Sequence, residues 1–346
     1  MPTTVSPELF ILDVGHGNCA ILRTAEGAVV IDAPSDPVVA KMLDELEIEN
    51  ITNLIVSHAD SDHLSGAISI LMDERRSVQS VHVNPDKRNA ATWYRFRAAV
   101  RDASRRGTRV HAVLNSQDPG TIALQDVDVS VLHPLSWDCL ATVDGVDLDG
   151  VQQNPNSMSG VVLVKYQGEP VCLLAGDAER SSLTSMLTEG ADLRASVLVF
   201  PHHGGHSGRG RGAEQRKANQ DFAKSLTQAV APEYVLFSLG RAKHRNPQTE
   251  IVNGIRGAAD QVGAAAHIAC TQLSVNCAAH LPGVSRENLD RRSSGEKNNF
   301  CCAGTVVVPL DPHIRARLMG RFRRSHEEFV SQHVKGSLCK RALDHA

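Results

Sequence analysis

Short runs of β-branched and aliphatic residues recur along the chain at residues 9–14, 20–23, 28–31, 53–57, 127–132, 161–166, 171–174 and 197–200, and each reads as a strand. Between them, apolar positions return at helical spacing over residues 38–46, 65–72, 92–106 and 181–188. The opening is strand-rich and the later strands are separated by helices. That order predicts an α/β protein in which two sheets pack face to face with helices outside, an αββα four-layer sandwich. No internal repeat and no low-complexity tract interrupts it.

Three stretches stand outside this alternation. Residues 204–219 are rich in glycine and carry Arg209, Arg211, Arg216 and Lys217, which predicts a mobile loop running into a helix. Residues 279–299 are polar and poor in apolar side chains, as a long excursion between two strands would be. Residues 312–343 place Ile314, Leu318, Phe322, Phe329, Val334 and Leu338 at roughly helical spacing among basic residues, predicting a broken helix packed on the outside. The expected organisation is a main domain over 1–310, with insertions near 204–219 and 279–299, and a C-terminal helical extension over 311–346.

Composition narrows the classes. Of 346 residues, 42% are hydrophobic and 22% charged, enough apolar material for a sizeable core. No run approaches the roughly 20 apolar residues of a membrane helix, and Met1 to Glu8 lacks the pattern of a secretory signal, so a cytoplasmic protein without membrane contact is expected. Eight cysteines, including a late cluster of Cys270, Cys277, Cys301 and Cys302, are too sparse for a disulfide scaffold and read as reduced thiols. Those four are also candidates for a closed structural zinc site, although their spacing matches no finger or ribbon. A net charge of −3 gives no general field for polyanions, so any nucleic-acid contact falls to local patches.

The most informative segment is Ser57-His58-Ala59-Asp60-Ser61-Asp62-His63-Leu64, where an apolar strand ends and four metal-type ligands fall within six residues. A tight strand-to-helix turn converges such side chains on one point, and a helix N-terminus favours carboxylates. The plain alternative is a capped turn with Asp60 or Asp62 as N-cap and solvated histidines. Two further apolar strands end in Gly176-Asp177 and in Pro201-His202-His203-Gly204-Gly205-His206. Gly-Asp after a strand is also an ordinary turn, whereas two adjacent imidazoles after an apolar strand rarely serve packing.

The order H-x-D-x-D-H, Gly-Asp, His-His-Gly resembles the metallo-β-lactamase superfamily, whose usual signature is H-x-H-x-D-H. Asp60 in place of the second histidine resembles one branch, the hydrolase domain of the competence DNA-uptake channel and related phosphodiesterases, including phosphorylcholine esterases. Phe10-Ile-Leu-Asp13-Val-Gly-His16-Gly-Asn18 is similar to that branch's Asp-Val-Gly-Gln-Gly-Asp opening, with His16 and Asn18 replacing Gln and Asp. Val30-Ile-Asp32-Ala, Asn156-Ser157 before Val161, and Leu236-Phe-Ser-Leu-Gly240 also match. So does His244-Arg-Asn246-Pro247, which has Asn246 where the branch has histidine before proline. The match spans roughly residues 8–275.

This resemblance implies two divalent metal ions, zinc or manganese. His58 and Asp60 would hold one and Asp62 and His63 the other, with Asp177 bridging and His202, rather than His203, completing the site. Asp62, His244 and Asn246 are the candidate catalytic residues. His133 is a further candidate ligand or a turn residue, and Asp13 and Asp32 are orienting carboxylates or strand-end turn residues. Oxygen ligands such as Asp60 shift preference towards manganese. The implied activity is hydrolysis of a phosphodiester, nucleic acid included, and Arg95, Arg97, Arg101, Arg105 and Arg106, with Arg209, Arg211, Arg216 and Lys217, offer phosphate contacts. The same site would serve another ester, lactone, thioester or β-lactam bond. A metal-stabilised regulatory module, meeting a protein partner or a second copy through the C-terminal helix, is the remaining reading.

Overall fold

A computed structural model describes residues 6–84, 90–140, 145–146, 150, 152–208, 212–241, 244–258, 265–284 and 291–340. The first sheet contains β1 (Glu8–Ile11), β2 (Ala20–Thr24), β3 (Gly27–Ile31), β4 (Asn50–Val56), β5 (Ser77–Val83), β6 (Arg109–His111) and β14 (Val306–Pro309), in the order β14-β1-β2-β3-β4-β5-β6. The second contains β7 (Thr121–Leu124), β8 (Val127–His133), β9 (Val161–Tyr166), β10 (Glu169–Leu174), β11 (Val197–Val199), β12 (Tyr234–Phe237) and β13 (His267–Cys270), in the order β13-β12-β11-β10-β9-β8-β7. Each sheet has one antiparallel part and one parallel part, β3 to β6 in the first and β10 to β13 in the second.

Three apolar clusters account for the layers. Leu9, Leu22, Val29, Val129, Val162, Val171 and Val197 fill the space between the sheets. Phe10, Val30 and Leu54 face the other way and pack under α1 (Pro37–Glu45), α3 (Ala67–Met72) and α4 (Ala91–Arg105). Leu163, Leu173 and Leu198 pack under α5 (Arg180–Thr188), α6 (Ala213–Val230) and α7 (Thr249–Gly257). The central strands are buried on both faces, which is why they read as unbroken apolar runs rather than as alternating ones. The architecture is the expected αββα sandwich.

Local chemistry sets the helix ends. Asp36 and Asp311 cap α1 and the C-terminal α8 (Pro312–His333), each accepting from main-chain N–H groups of the first turn and each followed by proline at N1. The stripe at Ile314, Leu318 and Phe322 is only half-buried, while Met319, Phe329 and Val330 are buried. Met319 joins the core between the sheets, and Phe329, Val330, Val334 and Leu338 join the outer core of the second sheet. In the 204–219 stretch, α6 starts at Ala213 and buries Phe222, Ala223, Leu226 and Val230; Arg209 and Arg211 lie outside the described residues. The 279–299 excursion does connect two strands, β13 and β14, with part of it, 285–290, also outside the described residues.

Candidate metal centre

The parallel strands deliver their C-terminal ends to one edge of the sandwich. From β4 the chain passes through Ser57 and His58 into the short α2 (Ser61–Leu64), so that Asp60 is its N-cap and Asp62 and His63 lie within it. From β10 it passes into Gly176-Asp177, and from β11 into Pro201-His202-His203. Gly160 and Gly176 let the second sheet close on Ser57. A Cβ on Gly176 would sit 2.6 Å from Ser159 Oγ and 2.8 Å from the Gly160 carbonyl. His202 and His203 both adopt left-handed backbone, with φ of 53° and 54°. That conformation costs a non-glycine residue roughly 1–2 kcal/mol, and such strain persists where the surroundings impose it.

The left-handed pair undoes the alternation of a strand and turns both imidazoles towards Asp177. On one carboxylate oxygen, His58 Nε2 lies 3.7 Å and His202 Nδ1 3.6 Å from Asp177 Oδ2. On the other, His63 Nε2 lies 3.5 Å and His203 Nε2 3.9 Å from Oδ1. Asp60 Oδ2 is 3.7 Å from His58 Nε2, and Asp62 Oδ2 is 3.6 Å from His203 Nε2. Two tight triads emerge among the described residues, His58, His63 and Asp177, and His16, Asp62 and His203, with donor atoms in each within 4.8 Å of one another. His63 thus belongs to both halves, close to His58 by ring contact and to His203 through Asp177 Oδ1.

These separations exceed hydrogen bonds, yet donors sharing one cation at 2.0–2.1 Å and a tetrahedral angle are about 3.3 Å apart. The Nε2 atoms of His58, His63 and His203, which face Asp177, and Asp177 Oδ1 itself are buried without a hydrogen-bond partner. Buried polar atoms are otherwise almost always paired. The donor set therefore fits divalent cations.

Other contacts aim the imidazoles. Asp32 Oδ2 accepts from His63 Nδ1 at 2.7 Å and from Ser57 Oγ at 2.7 Å, while Oδ1 accepts the Ser57 N–H at 2.7 Å. The Ser238 carbonyl accepts from His203 Nδ1 at 2.7 Å, and Ser57 and Ser159 hydroxyls flank His58 Nδ1 at 3.1 and 3.3 Å. Each leaves Nε2 facing the cluster. Burial would raise the carboxyl groups of Asp177 and Asp62. The imidazoles of His63 and His202 around Asp177, and the His16 contact together with the nearby His203 and His63 imidazoles around Asp62, outweigh it and hold both well below the ordinary range. Burial opposes charge on His63, but Asp32 and Asp177 raise it well above the usual imidazole value.

The remaining candidates separate clearly. Asp13, raised by burial, accepts from Gly15, Gly295 and Gln272 and ties β1 to the excursion before β14, without contact to a site imidazole. His133 is buried, with Nε2 donating to the Ser157 carbonyl at 2.7 Å, and lies in neither triad. His244 is exposed at the rim, its ring 4.5 Å from that of His16. Asn246 is buried behind the histidine turn and donates to the His202 carbonyl at 3.3 Å. Arg95, Arg97, Arg101 and Arg105 are exposed on α4, and Lys217 pairs with Asp221 on α6. Cys270 and Cys302 are buried in the outer core of the second sheet and Cys301 lies 3.6 Å from Asp13, so the late cysteines divide between two places. No metal-competent group found among the described residues includes a cysteine.

A family model described as the metallo-beta-lactamase superfamily matches residues 12–210, more than half of the chain. The chain belongs to the metallo-beta-lactamase superfamily. Members of this superfamily are metal-dependent hydrolases, and a His and Asp cluster at the edge of the sandwich suits that chemistry. No curated protein matches the chain. Among solved structures, it is similar to Igni18, a metallo hydrolase from the archaeon Ignicoccus hospitalis, at 15% identity and TM-score 0.43 over 75% of this chain and 94% of that one. It is also similar to the metallo-beta-lactamase fold protein YhfI from Bacillus subtilis, at 10% identity and TM-score 0.45 over 76% and 96% of the two chains. The short form of human tRNase Z is similar at 11% identity and TM-score 0.38, over 66% and 91%. Among the described residues, no helix is long and apolar enough to cross a membrane.

Proposed function

We propose that this metallo-beta-lactamase superfamily member is a phosphodiester hydrolase working through two divalent cations, zinc or manganese. His58, Asp60 and His202 would hold one, Asp62, His63 and His203 would hold the other, and Asp177 would serve both. The single observation that carries this reading is the Asp177 carboxylate, buried and flanked by two imidazoles on each oxygen. A cation pair held there would supply water activation and neutralise charge that builds on the attacked centre. The chain's own residues do the rest: Asp32, Ser57 and the Ser238 carbonyl fix the rings, and Asn246 steadies the histidine turn through the His202 carbonyl. His244, exposed beside His16, is placed to hand a proton to a leaving oxygen.

The phosphodiester class is supported by the H-x-D-x-D-H pattern and its resemblance to the competence-channel branch, and by a groove of about 640 Å³. The groove is lined by Asn84, Trp93, Phe96, Arg97, Arg101 and Arg105. Asn84, in that lining, also donates to the Ser57 carbonyl just past the end of β4. Arginines over an apolar, aromatic floor suit a phosphate-bearing chain. Turnover of bis-p-nitrophenyl phosphate and of single-stranded DNA, with metal content measured in parallel, tests the reading. Asp62→Ala is expected to lose at least about 100-fold in rate, or about 2.7 kcal/mol, together with metal. Arg97→Ala with Arg101→Ala should weaken DNA turnover and spare the small diester. Wild-type turnover of lactones, thioesters or β-lactams without diesters would overturn the substrate class.

A further inference from the structure

Resting on the reading of the cluster as a dinuclear metal centre, we propose that His16 is a fifth imidazole ligand of that centre, giving the cation held by Asp62 a nitrogen-rich shell. His16 Nε2 lies 3.0 Å from Asp62 Oδ2, the oxygen that also faces His203 Nε2 at 3.6 Å. The His16 and His203 rings are 4.5 Å apart. The three donor atoms are close enough to share one cation.

The turn that carries His16 is built to hold it there. The Asn18 N–H donates to the Asp62 carbonyl at 3.3 Å, and Gly17, at φ of 138°, packs so tightly that a Cβ would stand 2.4 Å from that same carbonyl oxygen. From the other side, Gly240 abuts His16, where a Cβ would meet the His16 nitrogen at 2.5 Å. Ser238 joins the two halves: its hydroxyl donates to the Gly17 carbonyl at 2.7 Å while its own carbonyl accepts from His203. One residue thereby fixes both the turn bearing His16 and the ring of His203. Any shift of one histidine relative to the other must break a buried hydrogen bond.

The consequence is asymmetry between the cations. With His16, one side gathers three imidazoles, His16, His63 and His203, with Asp62 and one oxygen of Asp177. The other side has two imidazoles, His58 and His202, with Asp60 and the second oxygen. Nitrogen donors favour zinc and oxygen donors favour manganese, so the two positions differ in affinity and in preferred ion.

The test uses the full-length protein loaded with cobalt(II), whose coordinated histidines give hyperfine-shifted, solvent-exchangeable ring N–H resonances. His16→Gln and His16→Ala are each expected to lose one such resonance relative to wild type, while His244→Gln loses none. In a zinc titration against a competing chelator, one of the two equivalents should weaken by more than about 100-fold, beyond the 10–100-fold typical of an outer contact. An unchanged set of resonances in both His16 variants overturns the proposal and leaves the dinuclear reading standing. Failure of the wild-type protein to retain cobalt removes both.

Discussion

Replacing Asp32 by asparagine should perturb the proposed metal centre without altering a proposed ligand. Asp32 sits after β3 in left-handed backbone, φ of 57°, which asparagine tolerates, so the variant should fold. Its Oδ1 accepts the buried Ser57 N–H and its Oδ2 accepts from His63 Nδ1, both at 2.7 Å. In the Asp32→Asn variant the one remaining side-chain oxygen must serve the Ser57 N–H, which would otherwise be stranded, and the amide NH2 then faces His63. A donor there forces the ring proton from Nδ1 to Nε2, the atom that faces Asp177 at 3.5 Å, and a protonated Nε2 has no lone pair for a cation. Partners of this kind are worth about 10–100-fold in metal affinity, or about 1.4–2.7 kcal/mol. The assay is a chelator competition on wild type and Asp32→Asn, with nitrogen-15 histidine spectra reporting the tautomer. Unchanged affinity for both equivalents, or an Nδ1-protonated His63 in the variant, would refute the reasoning.

Two predictions concern the rest of the fold. Phe329→Ala removes an α8 side chain buried in the outer core of the second sheet and should cost about 3–5 kcal/mol in denaturant unfolding; a loss below about 0.5 kcal/mol would show that α8 packs elsewhere. Burial, chiefly, lowers His267 from an ordinary 6.5 to about 4. The unfolded chain then binds a proton that the folded chain refuses. Stability should therefore fall as pH drops from about 6.5 to about 4, by up to about 3 kcal/mol from this residue, and the slope should flatten in His267→Gln. An identical pH profile for that variant would contradict the assignment.

Where burial on two faces leaves a continuous apolar run the strand was legible: β9, β10 and β11 read directly from the Val and Leu clusters ending at Tyr166, Leu174 and Phe200, whereas β12 and β13, as buried but only four residues long, did not. Strands β6 and β7 escaped because they are short sheet edges with exposed positions, and nothing in Arg109-Val-His111 distinguishes a strand from a loop. The apolar spacing after Asp311 announced a helix but misdirected its face. The buried positions include His326, which is tolerated because it contacts Cys302 and His267, pairings of residues 24 and 59 positions away.

In the candidate metal centre, the clustering of His58, Asp60, Asp62 and His63 was legible because four donor residues within six positions at a strand end are brought to one turn. His202 was preferred to His203 because it lies nearest the strand end, a ground that does not separate them here, since two successive left-handed residues bring both rings to Asp177. His16 stood out only as a replacement for glutamine, because its partner Asp62 is brought to it by the tertiary fold. Asp13 and Asp32 looked alike in sequence, both following apolar strands, yet only Asp32 meets an imidazole.

Anomalous diffraction from crystals grown with zinc or manganese, recorded on both sides of the metal's absorption edge, tests the central claim most directly. The expected result is two peaks, one on each side of the Asp177 carboxylate and about 3.5–4 Å apart, one near His58 and His202 and the other near Asp62 and His203. No peak within coordination distance of Asp177 in fully soaked crystals would contradict the account.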